Sequence, residues 1–263
     1  MRLYVIDCGS LAALHYFGAP GEPDAMLMGC SNWLDDFAEK LRPTHAVLCL
    51  DSPTSFRKAL DPAYKSHRPP MPEDYGPQLR RLPELFARHG ITSIGQDGME
   101  ADDIIASMVA RHGGGEHEII IVSEDKDISA LIFDADKVRQ YTPRGGIFLD
   151  EQAAKAKYGF DAWRIPFYLA LAGDTSDGIA GIKGVGPKTA ISALLQTRSM
   201  PELFRKARAG ELRFGRGDKA MNERIANGHD EYMRSMALVR LRYDCEVPAD
   251  IEAFALKQGE RAA

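Results

Sequence analysis

Three short apolar runs each end in a carboxylate: "LYVID" at residues 3–7, "AVLCLD" at 46–51 and "EIIIVSED" at 118–125. Consecutive aliphatic and β-branched residues over so few positions suit a strand buried on both faces, as in a parallel sheet covered by helices. A weaker run, "ITSIG" at 91–95, has the same character. Helical periodicity lies between the runs, at 26–41 and 78–88, with Pro83 as a boundary inside the second. Alternating strands and helices predict a mostly parallel sheet with right-handed crossovers. "VRQYTPRGGIFL" at 138–149 predicts a hairpin turning at Pro143, Gly145 and Gly146. Beyond about residue 151 the pattern stays helical. The expected organisation is an α/β domain over 1–160 and a helical region over 161–263.

Hydrophobic residues make up 44% of the 263 positions, enough to fill a core of that kind. The sequence holds no run of about 18 apolar residues, and "MRLYVID" enters a strand directly. A cytoplasmic protein with no membrane span is therefore expected. Cys8, Cys30, Cys49 and Cys245 are widely spaced, which suits reduced thiols and not a zinc site. The net charge of −5 argues against a nucleic-acid binder, but its distribution argues the other way. Residues 183–224 hold ten Lys/Arg against four acids, and 57–68 hold four against one.

In parallel sheets, ligands sit beyond the carboxyl ends of the strands. Asp7, Asp51 and Asp125 are expected at that edge. Glu100, Asp102 and Asp103 crowd the start of a helix that follows a strand, and Asp127 lies two residues past Asp125. Asp174 and Asp177, three apart, share a face if their turn is helical. Any one of these nine acids could be a helix cap or a surface charge. Taken jointly they form a hard-oxygen donor set suited to Mg²⁺ or Mn²⁺. Two such ions can activate water and stabilise the leaving oxygen of a phosphodiester. They would also offset the repulsion among the clustered acids.

Residues 52–77, rich in proline, cations and aromatics, are too long for an ordinary connection. The segment could be a solvated loop, or an arch that grips a polyanion, with Tyr64 or Phe56 as a stacking face. "GIKGVGPKTA" at 181–190 is not a nucleotide-binding P-loop, because Pro187 separates Gly186 from Lys188. It reads instead as a hairpin between helices. There Gly184 and Gly186 admit a phosphate close to the backbone, and Lys183 and Lys188 add charge.

The chain resembles the 5′–3′ exonucleases and flap endonucleases, most closely the 5′-nuclease domain of bacterial DNA polymerase I. The segments that carry the resemblance are "VIDCGS", "PTHAVLCLD", "FRKALDPAYKSHRPPMPEDYGPQL", "GMEADDIIASMVA", "VSEDKDISALI" and "LALAGDTSDGIAGIKGVGPKTA". They run in the family's order from residue 3 to about 195. The resemblance implies a PIN-like 5′-nuclease fold with a helical arch at 52–84. It also implies a helix–three-turn–helix DNA-binding region whose helix-hairpin-helix spans 174–195. By motif match, Asp7, Asp51, Glu100, Asp102 and Asp103 belong to a first metal site, and Asp125, Asp127, Asp174 and Asp177 to a second. Lys65 and Arg68 match the arch's basic residues, Lys65 foremost as the one that acts on the scissile phosphate, with Asp102 and Asp125 at the catalytic centre. Arg57, Tyr64, Lys65, Arg68, Lys183, Gly184, Gly186 and Lys188 are the expected DNA contacts. The hairpin at Ile182 and Val185 matches a place for K⁺ held by backbone carbonyls.

The implied partner is branched, nicked or 5′-ended DNA, including RNA primers, bound by a monomer in the cytoplasm, in a bacterial nucleoid or in the host of a phage. The sequence departs from the family pattern at Cys8, inserted before Gly9; at Leu14, where the family has arginine; at Glu124; and at Gly178 and Ala180. All nine acids remain, so activity is expected. The rivals are a structure-specific DNA binder with little catalysis, and a ribonuclease of the related small acidic-site class.

Overall fold

The computed structural model describes residues 1–215 and 217–256. Arg216, counted above among the basic residues, and the end of the expected helical region at 257–263 lie outside the described residues. In chain order the elements are β1 (Arg2–Asp7), α1 (Cys8–Gly18), α2 (Ala25–Asp36), β2 (His45–Cys49), α3 (Phe56–Leu60), α4 (Tyr75–Leu79), α5 (Leu82–Arg88), β3 (Thr92–Ile94), α6 (Ala101–His112), β4 (Glu118–Val122), β5 (Val138–Thr142), β6 (Ile147–Leu149), α7 (Glu151–Tyr158), α8 (Ile165–Ala172), α9 (Pro187–Leu195), α10 (Met200–Arg208), α11 (Asp218–Asn227) and α12 (His229–Val239). Among the described residues no helix is long and apolar enough to cross a membrane. The four cysteines are buried free thiols.

The contacts gather into two units: 1–55, 70–151 and 241 onward form one, while 56–69 and 152–240 form the other. This is not the same partition as 1–160 and 161–263. The segment 56–69 belongs with the helices, and the C-terminal segment belongs with the sheet.

The first unit is built on a six-stranded sheet ordered β3-β2-β1-β4-β5-β6. All pairings are parallel except β5 with β6. Alternate residues of β1 enter opposite cores: Tyr4 and Ile6 meet α1, α2 and α5 on one face, while Leu3 and Val5 meet α6 on the other. Burial of both faces explains the continuous apolar runs. The C-terminal segment joins the second core through Leu241, Cys245 and Phe254. It also bridges His45 at Ala255, and the Leu256 N–H donates to the Thr44 carbonyl at 2.9 Å. The pattern at 26–41 becomes α2 followed by a π-helical turn at Phe37–Leu41, which ends at left-handed Arg42 before Pro43.

The second unit packs α8, α9, α10, α11 and α12 around Leu171, Ile182, Leu194, Leu203, Phe204 and Ile225. The segment expected to be a helical arch carries only short helices: α3, turns over 62–67, α4 and the start of α5. Pro62, Pro69, Pro70 and Pro72 interrupt it, because each lacks an N–H and clashes with the preceding turn.

Candidate active site

Because β1, β2 and β4 are parallel, the residues that follow them leave the sheet at one edge. Asp7 ends β1 and caps α1, its Oδ1 accepting the Ser10 N–H at 3.0 Å. Its Oδ2 accepts the Ser123 hydroxyl at 2.8 Å, and Ser123 Oγ in turn accepts the Asp125 N–H at 3.0 Å. Asp125 Oδ1 accepts the Asp127 N–H at 2.8 Å. Asp51 accepts the Ala101 N–H at 2.9 Å, beside the first turn of α6. Gly9 stands between the two strand ends: a Cβ there would lie 2.8 Å from Asp51 Oδ2 and 3.6 Å from Asp7 Oδ1. The glycine of "DCGS" therefore makes room for adjacent carboxylates.

This crowding is visible in the protonation of Asp7. Burial raises its carboxyl to about 7, and the charges of Asp51 and Asp125 push the same way against the Ser10 and Ser123 hydrogen bonds. Burial also pushes the Cys8 and Cys49 thiols well up, with Asp7 adding to it, so no thiolate competes as a donor.

Glu100 and Asp103 form a reciprocal capping box at the start of α6. Glu100 is buried and accepts the Ser55 hydroxyl at 2.9 Å. Asp103 is 0% exposed. Its Oδ2 accepts the Glu100 N–H at 3.2 Å and its Oδ1 the Arg242 N–H at 2.9 Å. Asp103, expected as a metal ligand, accepts one backbone N–H on each oxygen and orients Glu100. Asp102, between them, is half-buried in the first turn.

Among the described residues no three His, Cys, Asp or Glu side chains converge closely enough to enclose an ion as they stand. The donor set still fits a hard divalent cation. Its carboxylates are adjacent, burial and then the Asp51 and Asp125 charges raise the Asp7 carboxyl to about 7, and a cation among them would remove that repulsion.

In the second unit Asp174 and Asp177 lie in a turn between α8 and α9, closed by the Asp174–Ile179 bridge, and not on a helix. Asp174 Oδ1 accepts the Ser176 N–H at 2.8 Å and its hydroxyl at 2.6 Å. Asp177 is ion-paired with Arg68, approached by Lys65 Nζ at 3.9 Å, and accepts the Tyr64 hydroxyl at 3.2 Å. The carboxylate expected to hold metal is thus held by the cations expected to hold phosphate. Lys65 adopts a left-handed φ of 54°, and its N–H donates to the Asp177 carbonyl at 2.9 Å.

Two of the expected DNA contacts are buried in this structure. Arg57 is 2% exposed, its Nε donating to the Leu238 carbonyl at 2.7 Å and its NH2 group to the Arg240 carbonyl at 3.1 Å. It caps the C-terminus of α12, where orphaned carbonyls attract a cation. Tyr64 is 3% exposed and packs with Ile179 and Leu238, so its ring offers no stacking face. Phe56 lies against the Arg57 guanidinium, 4.5 Å from its ring centre.

The hairpin before α9 turns at Gly184, with φ of 78°, and Gly186 is the N-cap with open space where a Cβ would be. Ile182 and Val185 are buried, and the Ile182 carbonyl accepts the Val185 N–H at 2.9 Å. Lys183 and Lys188 are exposed, and the Lys183 N–H donates to Glu231 at 2.9 Å. The sequence reading missed Arg224, whose guanidinium lies where a Gly184 Cβ would be, and it missed Glu231 and Arg242. All three act from distant elements, so no local pattern marks them. Ser10 was legible, since an Asp three residues before a helical Ser is a capping pattern.

Two family models match the chain: the 5′-3′ exonuclease N-terminal resolvase-like domain at residues 2–159 and the 5′-3′ exonuclease C-terminal SAM fold at 161–262. A flap endonuclease Xni of Serratia proteamaculans is 33% identical over 178 residues, covering 66% of this chain and 70% of the relative. A 5′-3′ exonuclease of Aquifex aeolicus is 29% identical over 264 residues, covering 97% and 87%. Among solved structures, T5 5′-exonuclease with bound zinc is similar at a TM-score of 0.76 and 17% identity, with 91% of this chain and 89% of that one covered. The catalytic core of Rad2 with DNA substrate is similar at 0.61 and 17%, with 97% and 81% covered.

Proposed function

The chain belongs to the 5′-3′ exonuclease family, and on that premise we propose that it is a divalent-metal-dependent 5′ nuclease that hydrolyses DNA phosphodiesters, both as a 5′–3′ exonuclease and at 5′ flaps. The observation that carries this reading is the acid edge of the first unit, where burial and the neighbouring Asp51 and Asp125 charges hold the Asp7 carboxyl at about 7. Asp7, Asp51, Glu100, Asp102 and Asp125 would hold Mg²⁺ or Mn²⁺, two or more ions. When bound, the ions supply an activated water and charge stabilisation of the leaving oxygen. Ser10 and Ser123 fix the two oxygens of Asp7, and Asp103 fixes Glu100. Asp127, Asp174 and Asp177 complete the acid set that the family resemblance implies.

Lys65 and Arg68 would clamp the phosphate, for which a phosphate must compete with Asp177. Lys183, Lys188, Gly184 and Gly186 would grip a duplex backbone without reading its sequence, and the Ile182 and Val185 carbonyls would take K⁺. We place the protein in the cytoplasm, acting as a monomer on branched, nicked or 5′-ended DNA, with RNA primers as further substrates.

The test is cleavage of an end-labelled 5′-flap duplex with Mg²⁺ and with EDTA. A short 5′ product that requires metal, and is lost in Asp102→Asn and Asp125→Asn while flap binding persists, is the expected result. Retained cleavage in both variants overturns the assignment of the acids. Tight flap binding without turnover at any Mg²⁺ or Mn²⁺ level favours the non-catalytic binder, and preference for an RNA 5′ flap favours the ribonuclease.

A further inference from the structure

Both carboxylate oxygens of Asp177 are engaged by one short segment. Oδ1 accepts from the Arg68 guanidinium, while Oδ2 accepts the Tyr64 hydroxyl at 3.2 Å and faces Lys65 Nζ at 3.9 Å. The backbone of the turn holds the segment as well. The Lys65 N–H donates to the Asp177 carbonyl at 2.9 Å, and Arg68 Nε donates to the Ser176 carbonyl at 3.0 Å. Lys65 takes its left-handed φ of 54° in this arrangement, with its ammonium 4.9 Å from the centre of the Tyr64 ring. Gly178 lets the segment close in: a Cβ there would lie 3.1 Å from the Ala63 carbonyl oxygen and 3.2 Å from His67 Nδ1. All of these residues belong to the second unit.

A lone ion pair in water contributes little and would be a passive surface contact. This pair is not alone. The Asp177 side chain is only 15% exposed, and two backbone carbonyls of the same turn fix the segment beside it. The two oxygens so engaged are the ones a divalent cation would take. A cation there would stand beside the Arg68 guanidinium and the Lys65 ammonium, and like charges at that range repel. Metal and this pair of side chains therefore compete for one carboxylate.

We propose that Asp177 couples metal loading to the release of residues 61–68: a divalent cation on its carboxylate undocks the segment and frees Lys65 and Arg68 for the phosphate. The inference rests on the nuclease reading above, which makes Asp177 a metal donor. Its test is hydrogen–deuterium exchange of the full chain, read by mass spectrometry in peptides covering 61–68, in EDTA and in Mg²⁺. Melting temperatures check that each variant folds. Exchange in the wild type should quicken about tenfold in Mg²⁺, the protection that one charge-assisted hydrogen bond provides, while peptides from α10 do not quicken. Arg68→Ala should exchange fast already in EDTA. Asp177→Asn, without the carboxylate for which both sides compete, should exchange fast and ignore Mg²⁺. Gly178→Asn changes no charge, and Asn tolerates the left-handed φ of 74° found there, so this variant undocks the segment by crowding alone. It too should exchange fast in EDTA. Exchange at 61–68 that Mg²⁺ leaves unchanged or slows overturns the proposal, as does a folded Asp177→Asn variant that still quickens in Mg²⁺. Flap cleavage by the wild type keeps the two readings apart. Quickened exchange without cleavage fails the nuclease reading and keeps the coupling, whereas cleavage with unchanged exchange fails the coupling alone.

Discussion

At the residue scale, Asp7 is a buried carboxyl beside the like charges of Asp51 and Asp125. Its carboxyl stands at about 7 in the folded protein against an ordinary value of 3.8. A folded value raised in this way favours the native state at low pH and loses that contribution as pH rises through about 7. In EDTA the melting temperature should therefore fall as pH rises from about 4 to about 7, and Mg²⁺ should flatten the fall. Asp7→Asn should abolish cleavage yet raise the metal-free melting temperature at pH 8. Removing a buried charge is worth on the order of 1–2 kcal/mol, roughly 2–8 °C in a protein of this size. The swap is structurally mild, because the Ser123 hydroxyl can turn to accept from the new amide. Asp103 gives a contrasting expectation. With both its oxygens on backbone N–H groups, Asp103→Asn should lower the melting temperature but leave the Mg²⁺ concentration for half-maximal cleavage unchanged. Asp102→Asn should abolish cleavage at any Mg²⁺ level. A rightward shift of the Mg²⁺ curve in Asp103→Asn would return Asp103 to the ligands.

At the element scale, α3 is fastened to the C-terminus of α12 by a single buried guanidinium. Arg57 meets two carbonyls that the helix cannot satisfy itself. Arg57→Ala leaves those acceptors buried and should cost about 2–4 kcal/mol in chemical denaturation. Arg57→Lys should recover only part, since an ammonium lacks the planar fork. If Arg57→Ala melts like the wild type and instead weakens DNA binding, the residue is a DNA contact after all. The β5–β6 hairpin of the first unit shows the same kind of device: one carboxylate, Glu124, holds the backbone of a turn twenty residues away.

At the scale of the whole molecule, the chain crosses between its units more than once. The last described stretch returns to the sheet and is anchored by Phe254, which is 1% exposed and packs edge-on to His112 at 5.7 Å. Phe254→Ala should cost about 3–5 kcal/mol, a figure set by the size of the cavity, and urea denaturation measures it. The C-terminal segment also supplies the Arg242 N–H to Asp103, so cleavage should fall along with stability.

The sequence by itself determined the parallel sheet, its acid-tipped strand ends, the hairpin at 138–149 and the helical second half. Local periodicity and strand-end chemistry repeat over few residues and need no partner to be read. Asp7, Asp51 and Asp125 were legible for the same reason. Only the tertiary structure decided that Arg57 and Tyr64 are buried, that Asp177 is held by Arg68, that Asp103 faces backbone donors and that Glu124 reaches Arg144. Each of these depends on a contact between residues far apart in the chain, and a charge or an aromatic ring has the same sequence signature whether it faces water or a buried carbonyl.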